Sequence, residues 1–233
     1  MDGWTIEEPD DRSTSPNTSS PTESPFTPVA SDVKRRTSRD AVRIIAGRWR
    51  RRLLPVLATG RLRPTPDRVR ETLFNWLGSA VEGARCLDLF AGTGALGIEA
   101  ASRGAGAVVM IEHDRGVAAT LERAIHTLGA DNVEVVCADA LAWVPSAGVR
   151  FDIVFLDPPY SGPAPEAALG RLDRLDALAV DCLAYLETER DPADIALPPG
   201  WELLHARRAG RVRYHLASRS QPAPRRRHAQ GGE

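Results

Sequence analysis

The residues Asp157-Pro158-Pro159-Tyr160 close the apolar run Phe151 to Leu156, and their types suit the handling of an amine. Two prolines in sequence remove two backbone donors and fix φ twice, which holds the Pro158 carbonyl outward as an acceptor. An exocyclic amine on a planar base carries two N–H bonds and a lone pair delocalised into the ring. Accepting those bonds with the Asp157 carboxylate and the Pro158 carbonyl would aim the nitrogen and localise its lone pair toward an electrophile. Tyr160 can stack on the extruded base. The plainer alternative is a Pro-Pro turn ending a buried strand, with Asp157 as a capping group.

A second constellation precedes it. Cys86 to Ala100 (CLDLFAGTGALGIEA) reads as a buried strand, a glycine turn and the start of a helix, and everything else is placed relative to it. The spacing Gly92-x-Gly94-x-x-Gly97 also satisfies the dinucleotide fingerprint. Asp88, however, sits at the strand end, where a pyrophosphate would be repelled and a ligand ammonium attracted. S-adenosylmethionine carries such an ammonium. Glu112, closing the run Val108 to Ile111, lies where an acid can accept both ribose hydroxyls. Two acids with these glycines therefore fit S-adenosylmethionine better than NAD.

Positioning these groups requires an alternating α/β domain. Val108 to Glu112, Val133 to Cys137, Phe151 to Leu156 and Val180 to Thr188 read as strands, with helices over Arg115 to Leu128 and Leu169 to Leu178. Trp201 to Ala206 and Arg211 to Ala217 read as a closing antiparallel pair. In an open sheet of this kind ligands sit beyond the carboxyl ends of the strands where the strand order reverses, so Asp88 and Asp157 should face one site. Asp139, just past the third strand, either meets an adenine amino group or caps a helix starting at Ala140.

Before the glycine turn, Val42 to Val56 suggests a hairpin turning near Trp49 to Arg51. Its arginines could grip phosphates while Trp49 stacks on a base or simply packs the hairpin onto the domain. Arg63 to Leu77 begins with a helix signal, Thr65 as N-cap and Pro66 in the first turn. Val69, Leu73, Trp76 and Leu77 give that helix a core face, leaving Arg68 and Arg70 for an RNA backbone or a carboxylate.

Composition narrows the partners. The net charge of −1 hides segregation: thirteen basic residues lie between Lys34 and Arg70, and eight arginines between His205 and Glu233. A polyanion, nucleic acid first, explains that placement; a solvated arginine-rich surface is the alternative. Cys86, Cys137 and Cys182 fall in apolar stretches without metal-ligand spacing and are expected as reduced core residues, with no metal. Apolar runs are too short to span a membrane and the N-terminus has no signal-peptide order, so a cytoplasmic protein is expected. Residues 1–37, rich in Ser, Thr, Pro and acids, read as a disordered acidic tail, and 219–233 as a basic disordered tail.

The succession RIIAGRWR, RPTPDRVRETLFNWL, CLDLFAGTGALGIEA, FLDPPY and YLETE (Tyr185 to Glu189) resembles the RsmD family of bacterial small-subunit ribosomal RNA guanine-N2 methyltransferases, over roughly Ala41 to Ala217. The resemblance implies a class I S-adenosylmethionine-dependent methyltransferase fold, a Rossmann-like, doubly wound seven-stranded sheet whose last strands are antiparallel. An N-terminal hairpin-helix extension (38–80) would contact RNA, ahead of the methyltransferase domain (81–218). It implies methylation of N2 of one guanine in 16S rRNA of the assembling 30S subunit, by a monomer.

Carried over by motif, the catalytic residues are Asp157, Pro158, Pro159 and Tyr160. The cofactor residues are Asp88, Phe90, Ala91, Gly92, Gly94, Glu112, His113, Asp139 and Ala140. RNA contacts are expected from Arg43, Arg48, Trp49, Arg50, Arg51, Arg52, Arg63, Arg68 and Arg70. Arg51 departs from the family pattern, standing where a hairpin glycine is expected. The same tetrad also serves DNA adenine-N6 methyltransferases, although only about twenty residues follow Tyr160 before the fifth strand, too few for a target-recognition insert. A non-catalytic ribosome-assembly factor and, least favoured, an NAD-linked oxidoreductase complete the alternatives.

Overall fold

The computed structural model describes residues 41–55, 65–159, 162–190 and 195–219. The expectations for residues 1–37 and 220–233, for Arg63 and for Tyr160 lie outside the described residues, whereas Arg219, expected to open the C-terminal tail, instead ends a strand.

The chain first makes a small antiparallel hairpin, β1 (Ala41–Arg43) and β2 (Leu53–Pro55), with Val42 facing Leu54. The loop between them closes through Ile44 N–H to the Arg52 carbonyl at 2.9 Å and Arg51 N–H to the Ile44 carbonyl at 2.8 Å. Arg51 adopts φ 69°, the left-handed conformation that the expected glycine would have supplied. The hairpin geometry thus survives the substitution, with the strain carried by an L side chain.

Helix α1 (Asp67–Leu77) follows. Pro66, not Thr65, precedes its first residue, and no side chain caps it. The Thr65 hydroxyl is turned away, 3.4 Å from Asp157 Oδ2. Val69, Leu73, Phe74 and Leu77 are buried, as their i, i+4, i+5 and i+8 spacing on a 3.6-residue period requires.

The main sheet contains β3 (Arg85–Asp88), β4 (Ala107–Glu112), β5 (Val133–Cys137), β6 (Phe151–Leu156), β7 (Leu178–Thr188), β8 (Trp201–Ala209) and β9 (Val212–Arg219). Their order is β5-β4-β3-β6-β7-β9-β8, parallel from β5 to β7, with β9 antiparallel to both β7 and β8. Strand order reverses between β3 and β6. The seven-stranded, doubly wound sheet with an antiparallel end is the expected architecture.

Side-chain alternation sends successive strand residues to opposite faces. Ile153 and Phe155 of β6 join a core with α1, α2 (Ala95–Ser102) and α3 (Arg115–Leu128), which also takes in Val42, Ile44, Trp49 and Leu54 of the hairpin. Val154 and Leu156 face a second core with Ala168, Leu169 and Leu172 of α4 (Pro165–Arg174). A fully buried leucine contributes roughly 2 kcal/mol relative to exposure, so Leu169 and Leu172, with the smaller Ala168, fasten α4 to the sheet. α4 begins four residues earlier than expected because Pro165 occupies its first turn, and Leu178 already belongs to β7.

Between β5 and β6 no helix forms at Ala140; a turn covers that face with Ala138, Ala140, Trp143 and Val149. Cys86 and Cys182 are buried, whereas Cys137 is exposed at the very end of β5, past the core contacts of Val133 and Val135 on the same face. Burial pushes the Cys86 thiol up to about 12, which keeps it inert. No helix among the described residues is long and apolar enough to cross a membrane.

Candidate active site

Asp88 and Asp157 are brought together as their positions at strand ends require. β3 and β6 are direct parallel neighbours, with Asp88 opposite Phe155, so both acids lie at the carboxyl edge where the order reverses. Asp88 is 2% exposed, and its Oδ2 accepts the Gly97 N–H at 2.9 Å from the first turn of α2. Burial raises the Asp88 carboxyl to about 7; the Gly97 and Phe90 N–H groups pull it down and the charge of Glu112 pushes it up.

The glycine turn is shaped around these acids. Gly92 and Gly94 take φ 50° and 72°, and a Cβ on Gly97 would lie 2.8 Å from Met110 and 3.2 Å from Asp88 Oδ2. Only glycine lets α2 approach β3 and β4 so closely. The result is a closely packed glycine turn with a buried, ionisable carboxyl at its base, a charge suited to an ammonium-bearing ligand.

Glu112, 6% exposed, accepts the Gly92 N–H on Oε2 at 2.9 Å and the Asp114 N–H on Oε1 at 2.8 Å. It therefore ties the glycine turn to the β4–α3 loop. His113 reaches the same Oε1 through Nδ1 at 3.1 Å while its ring is largely exposed. Phe90 is half-buried and Ala91 buried, with Ala91 N–H fixed to the Ile111 carbonyl at 2.9 Å. Asp139 is exposed, and its Oδ1 accepts N–H bonds from Leu141 at 2.7 Å and Ala142 at 2.9 Å. That is a capping role within a turn rather than at a helix start, and it orients the half-buried Ala140 beside it.

On the other side of the site, Asp157 and Pro158 are half-buried and Pro159 is exposed. The Pro159 carbonyl accepts the Gly162 N–H at 2.6 Å. Desolvation raises the Asp157 carboxyl well above the usual range, the charges of Glu187 and Asp88 add to the rise, and the Thr65 hydroxyl opposes it. Crowded carboxyls at a strand end favour a shared proton until donors arrive to replace it.

Two neighbours of Asp157 carried no assigned role in the sequence. Glu187 on β7 accepts the Tyr185 hydroxyl at 2.8 Å, and burial raises its carboxyl as well. The YLETE run contained both residues, but their approach to Asp157 depends on which strand β7 joins.

The basic segment divides. Arg43, Arg48, Arg50, Arg51, Arg52 and Arg68 are exposed. Arg70 is not: at 1% exposure it donates to Glu99 Oε2 at 3.3 Å, to Asp67 Oδ1 at 2.7 Å, and to the carbonyls of Thr65 at 3.2 Å and Arg43 at 2.8 Å. Its expected RNA contact is replaced by a structural one, because a buried guanidinium with four of its five N–H donors used internally is out of reach of a phosphate. Trp49 is corrected likewise. It is 3% exposed within the hairpin's core contact, so its ring cannot stack on a base.

Glu99, missed in the sequence, is the centre of this junction. It accepts the N–H groups of Ile45 at 2.8 Å and Ala46 at 3.0 Å, together with Arg103 Nε at 2.7 Å. Ser102 adds a bond to the Ala46 carbonyl at 2.6 Å and accepts the Trp49 N–H at 3.0 Å. An acid on an otherwise apolar helix turn was the signal available in the sequence.

Comparison with known proteins places this geometry among methyltransferases. A family model described as Conserved hypothetical protein 95 matches residues 42–218. Ribosomal RNA small subunit methyltransferase D of Escherichia coli K12 is 44% identical over 178 residues, 76% of this chain and 90% of that protein. The protein of the same name from Haemophilus influenzae is 45% identical over 179 residues, 75% of this chain and 92% of its own length. Among solved structures, the Escherichia coli protein yhhF superposes with a TM-score of 0.72 at 41% identity, covering 78% of this chain and 99% of its own.

Proposed function

Since the chain belongs to the family described as Conserved hypothetical protein 95, the RsmD family of its sequence resemblance, we propose that this S-adenosylmethionine-dependent rRNA methyltransferase modifies the exocyclic N2 of one guanine in 16S rRNA. The observation that carries the reading is the adjacency of Asp88 and Asp157 at the ends of β3 and β6, on either side of the reversal in strand order.

S-Adenosylmethionine supplies an electrophilic methyl on a sulfonium. Asp88 and the Gly92 to Gly97 turn hold its amino-acid end, with the ionised Asp88 carboxyl facing the ammonium. Glu112 and His113 flank the ribose, and Asp139 with Ala140 flanks the adenine. Phe90 and Ala91 fix the turn between them. Asp157 and the Pro158 carbonyl accept the two N–H bonds of the guanine amine, which aims the nitrogen and lets its lone pair leave conjugation with the ring. As the N–C bond forms, the S–CH3 bond would break with its electron pair returning to sulfur, which leaves as the neutral thioether S-adenosylhomocysteine, and the amine proton passes toward the Asp157 carboxyl, whose raised affinity for a proton suits it to receive one. Pro159 stiffens the turn and Tyr160 stacks on the base. No step requires a metal.

The exposed arginines Arg43, Arg48, Arg50, Arg51, Arg52 and Arg68, joined by Arg63, provide the phosphate-contacting surface. In this reading residues 38–80 form the RNA-contacting extension, 81–219 the methyltransferase domain, and 1–37 and 220–233 the tails. The protein acts as a cytoplasmic monomer on the 30S subunit or its assembly intermediate.

The test is transfer of labelled methyl from S-adenosylmethionine to small-subunit particles from a strain lacking this gene, followed by nucleoside analysis. N2-methylguanosine at one site is expected. N6-methyladenosine, or product only on DNA, would replace the reading with an adenine methyltransferase.

A further inference from the structure

Methyl transfer as described leaves Glu187 without a task, although it stands beside the reacting group. Leu156 of β6 is paired with Leu186 of β7 in parallel register, so the next residues of each strand, Asp157 and Glu187, emerge side by side at the carboxyl edge. Tyr185, 0% exposed, donates its hydroxyl to Glu187 Oε2 at 2.8 Å and fixes the side chain. Across the antiparallel pairing Glu187 faces Tyr214 of β9, whose ring lies 6.5 Å from that of Tyr185 and 5.4 Å from that of Trp76. Glu187 thus stands between this aromatic group and Asp157, with Oε2 held by Tyr185.

A base with two neighbouring donors on one edge matches two neighbouring carboxylates. Guanine is such a base, since its N1–H adjoins its N2 amine. Adenine and cytosine instead place a ring-nitrogen lone pair beside their exocyclic amines, and a carboxylate opposite a lone pair is repelled. Resting on the guanine-N2 reading above, we propose that Glu187 is the residue that selects guanine, its Oε1 accepting the N1–H while Asp157 and the Pro158 carbonyl accept the N2 amine. Tyr185 is the positioning residue behind it, holding Oε2 so that Oε1 stays presented. A site that hydrogen-bonds a substrate N–H rejects analogues lacking it far more strongly than a merely apolar pocket could.

The experiment uses the full chain and small-subunit particles. Wild-type enzyme first locates the methylated guanine; particles are then rebuilt with 2-aminopurine at that position. This base keeps the 2-amine and carries a lone pair at N1. Wild-type enzyme is expected to methylate it at least about a hundredfold more slowly than guanine. Glu187→Gln, whose amide can donate to that lone pair, should lose rate on guanine and narrow or reverse the ratio, with cofactor affinity unchanged.

Equal wild-type rates on the two bases would overturn the role of Glu187 without any variant. So would a Glu187→Gln protein that slows on both bases by the same factor, since a purely structural effect leaves the ratio alone. If wild-type enzyme makes no N2-methylguanosine at all, the underlying reading fails first, and the two failures are thereby told apart.

Discussion

Arg70 on α1 and Glu99 on α2 meet 3.3 Å apart with side chains 1% and 0% exposed, and through this pair the hairpin, α1 and α2 become one piece. Arg70 also holds the Arg43 and Thr65 carbonyls, while Glu99 holds Ile45 and Ala46. Thr65 then reaches Asp157. The arginine-rich stretch therefore contains both a surface and an anchor. Removing one member of a buried, hydrogen-bonded ion pair leaves the other charged and unpaired, at a cost of about 3–5 kcal/mol. Arg70→Ala is expected to lose stability on that scale in urea unfolding; a loss under about 1 kcal/mol would mean that water replaces the guanidinium.

At Arg51 the expectation has the opposite sign. Its φ of 69° strains any residue with a Cβ, and the side chain is exposed. Arg51→Gly should stabilise the fold by roughly 0.5–1 kcal/mol, the relief of left-handed strain being offset in part by the greater freedom of the unfolded chain. Equilibrium unfolding measures this directly, and a destabilised variant would reveal an anchoring contact made by the arginine.

Asp157→Ala should leave folding and S-adenosylmethionine binding nearly intact and slow methyl transfer at least about a hundredfold, the scale of losing one positioned electrostatic group. Single-turnover transfer to small-subunit particles, paired with calorimetric cofactor titration, separates the two effects. Retained turnover would remove Asp157 from the chemistry.

Replacing Arg50, Arg51 and Arg52 together by alanine should weaken RNA binding and flatten its salt dependence. Each lost phosphate contact reduces the slope of log K against log salt by roughly 0.7–0.9. All three side chains are exposed, so thermal stability should change little. An unchanged slope would assign the hairpin to structure alone.

Asp88 is expected to set a pH dependence on cofactor binding. Its folded carboxyl is raised to about 7 from an ordinary 3.8, so the native empty protein holds a proton that the unfolded chain has already lost in that window. Folding stability of the empty protein accordingly falls as pH rises through the window and is level above it. A cofactor ammonium reverses the preference by favouring the carboxylate. Affinity for S-adenosylmethionine should then rise up to about tenfold per pH unit on approaching 7 from below and flatten above it. An affinity independent of pH between 5.5 and 8 would show that the ammonium rests elsewhere.

The local signals in the chain were strong where chemistry and periodicity coincide. Alternating apolar runs, the glycines after Asp88 and the prolines after Asp157 determined the doubly wound sheet and the carboxyl edge on which the acids lie, because strand period, turn chemistry and φ restriction act within a few residues. Even the extent of the closing antiparallel pair was foreseen to within a few residues. What the sequence could not decide was which charges face inward. Arg68 and Arg70 differ by two positions on one helix, yet Arg68 meets solvent and Arg70 meets Glu99, a residue 29 positions away. Trp49 reads equally as a stacking platform or as packing for the hairpin, and only the fold against α2, which buries it, selects the second. Glu187 becomes a neighbour of Asp157 only because β7 pairs with β6 in a register that aligns Leu156 with Leu186. Such pairings join residues far apart in the chain, and their selection rests on desolvation and packing of the whole core, which no local pattern encodes.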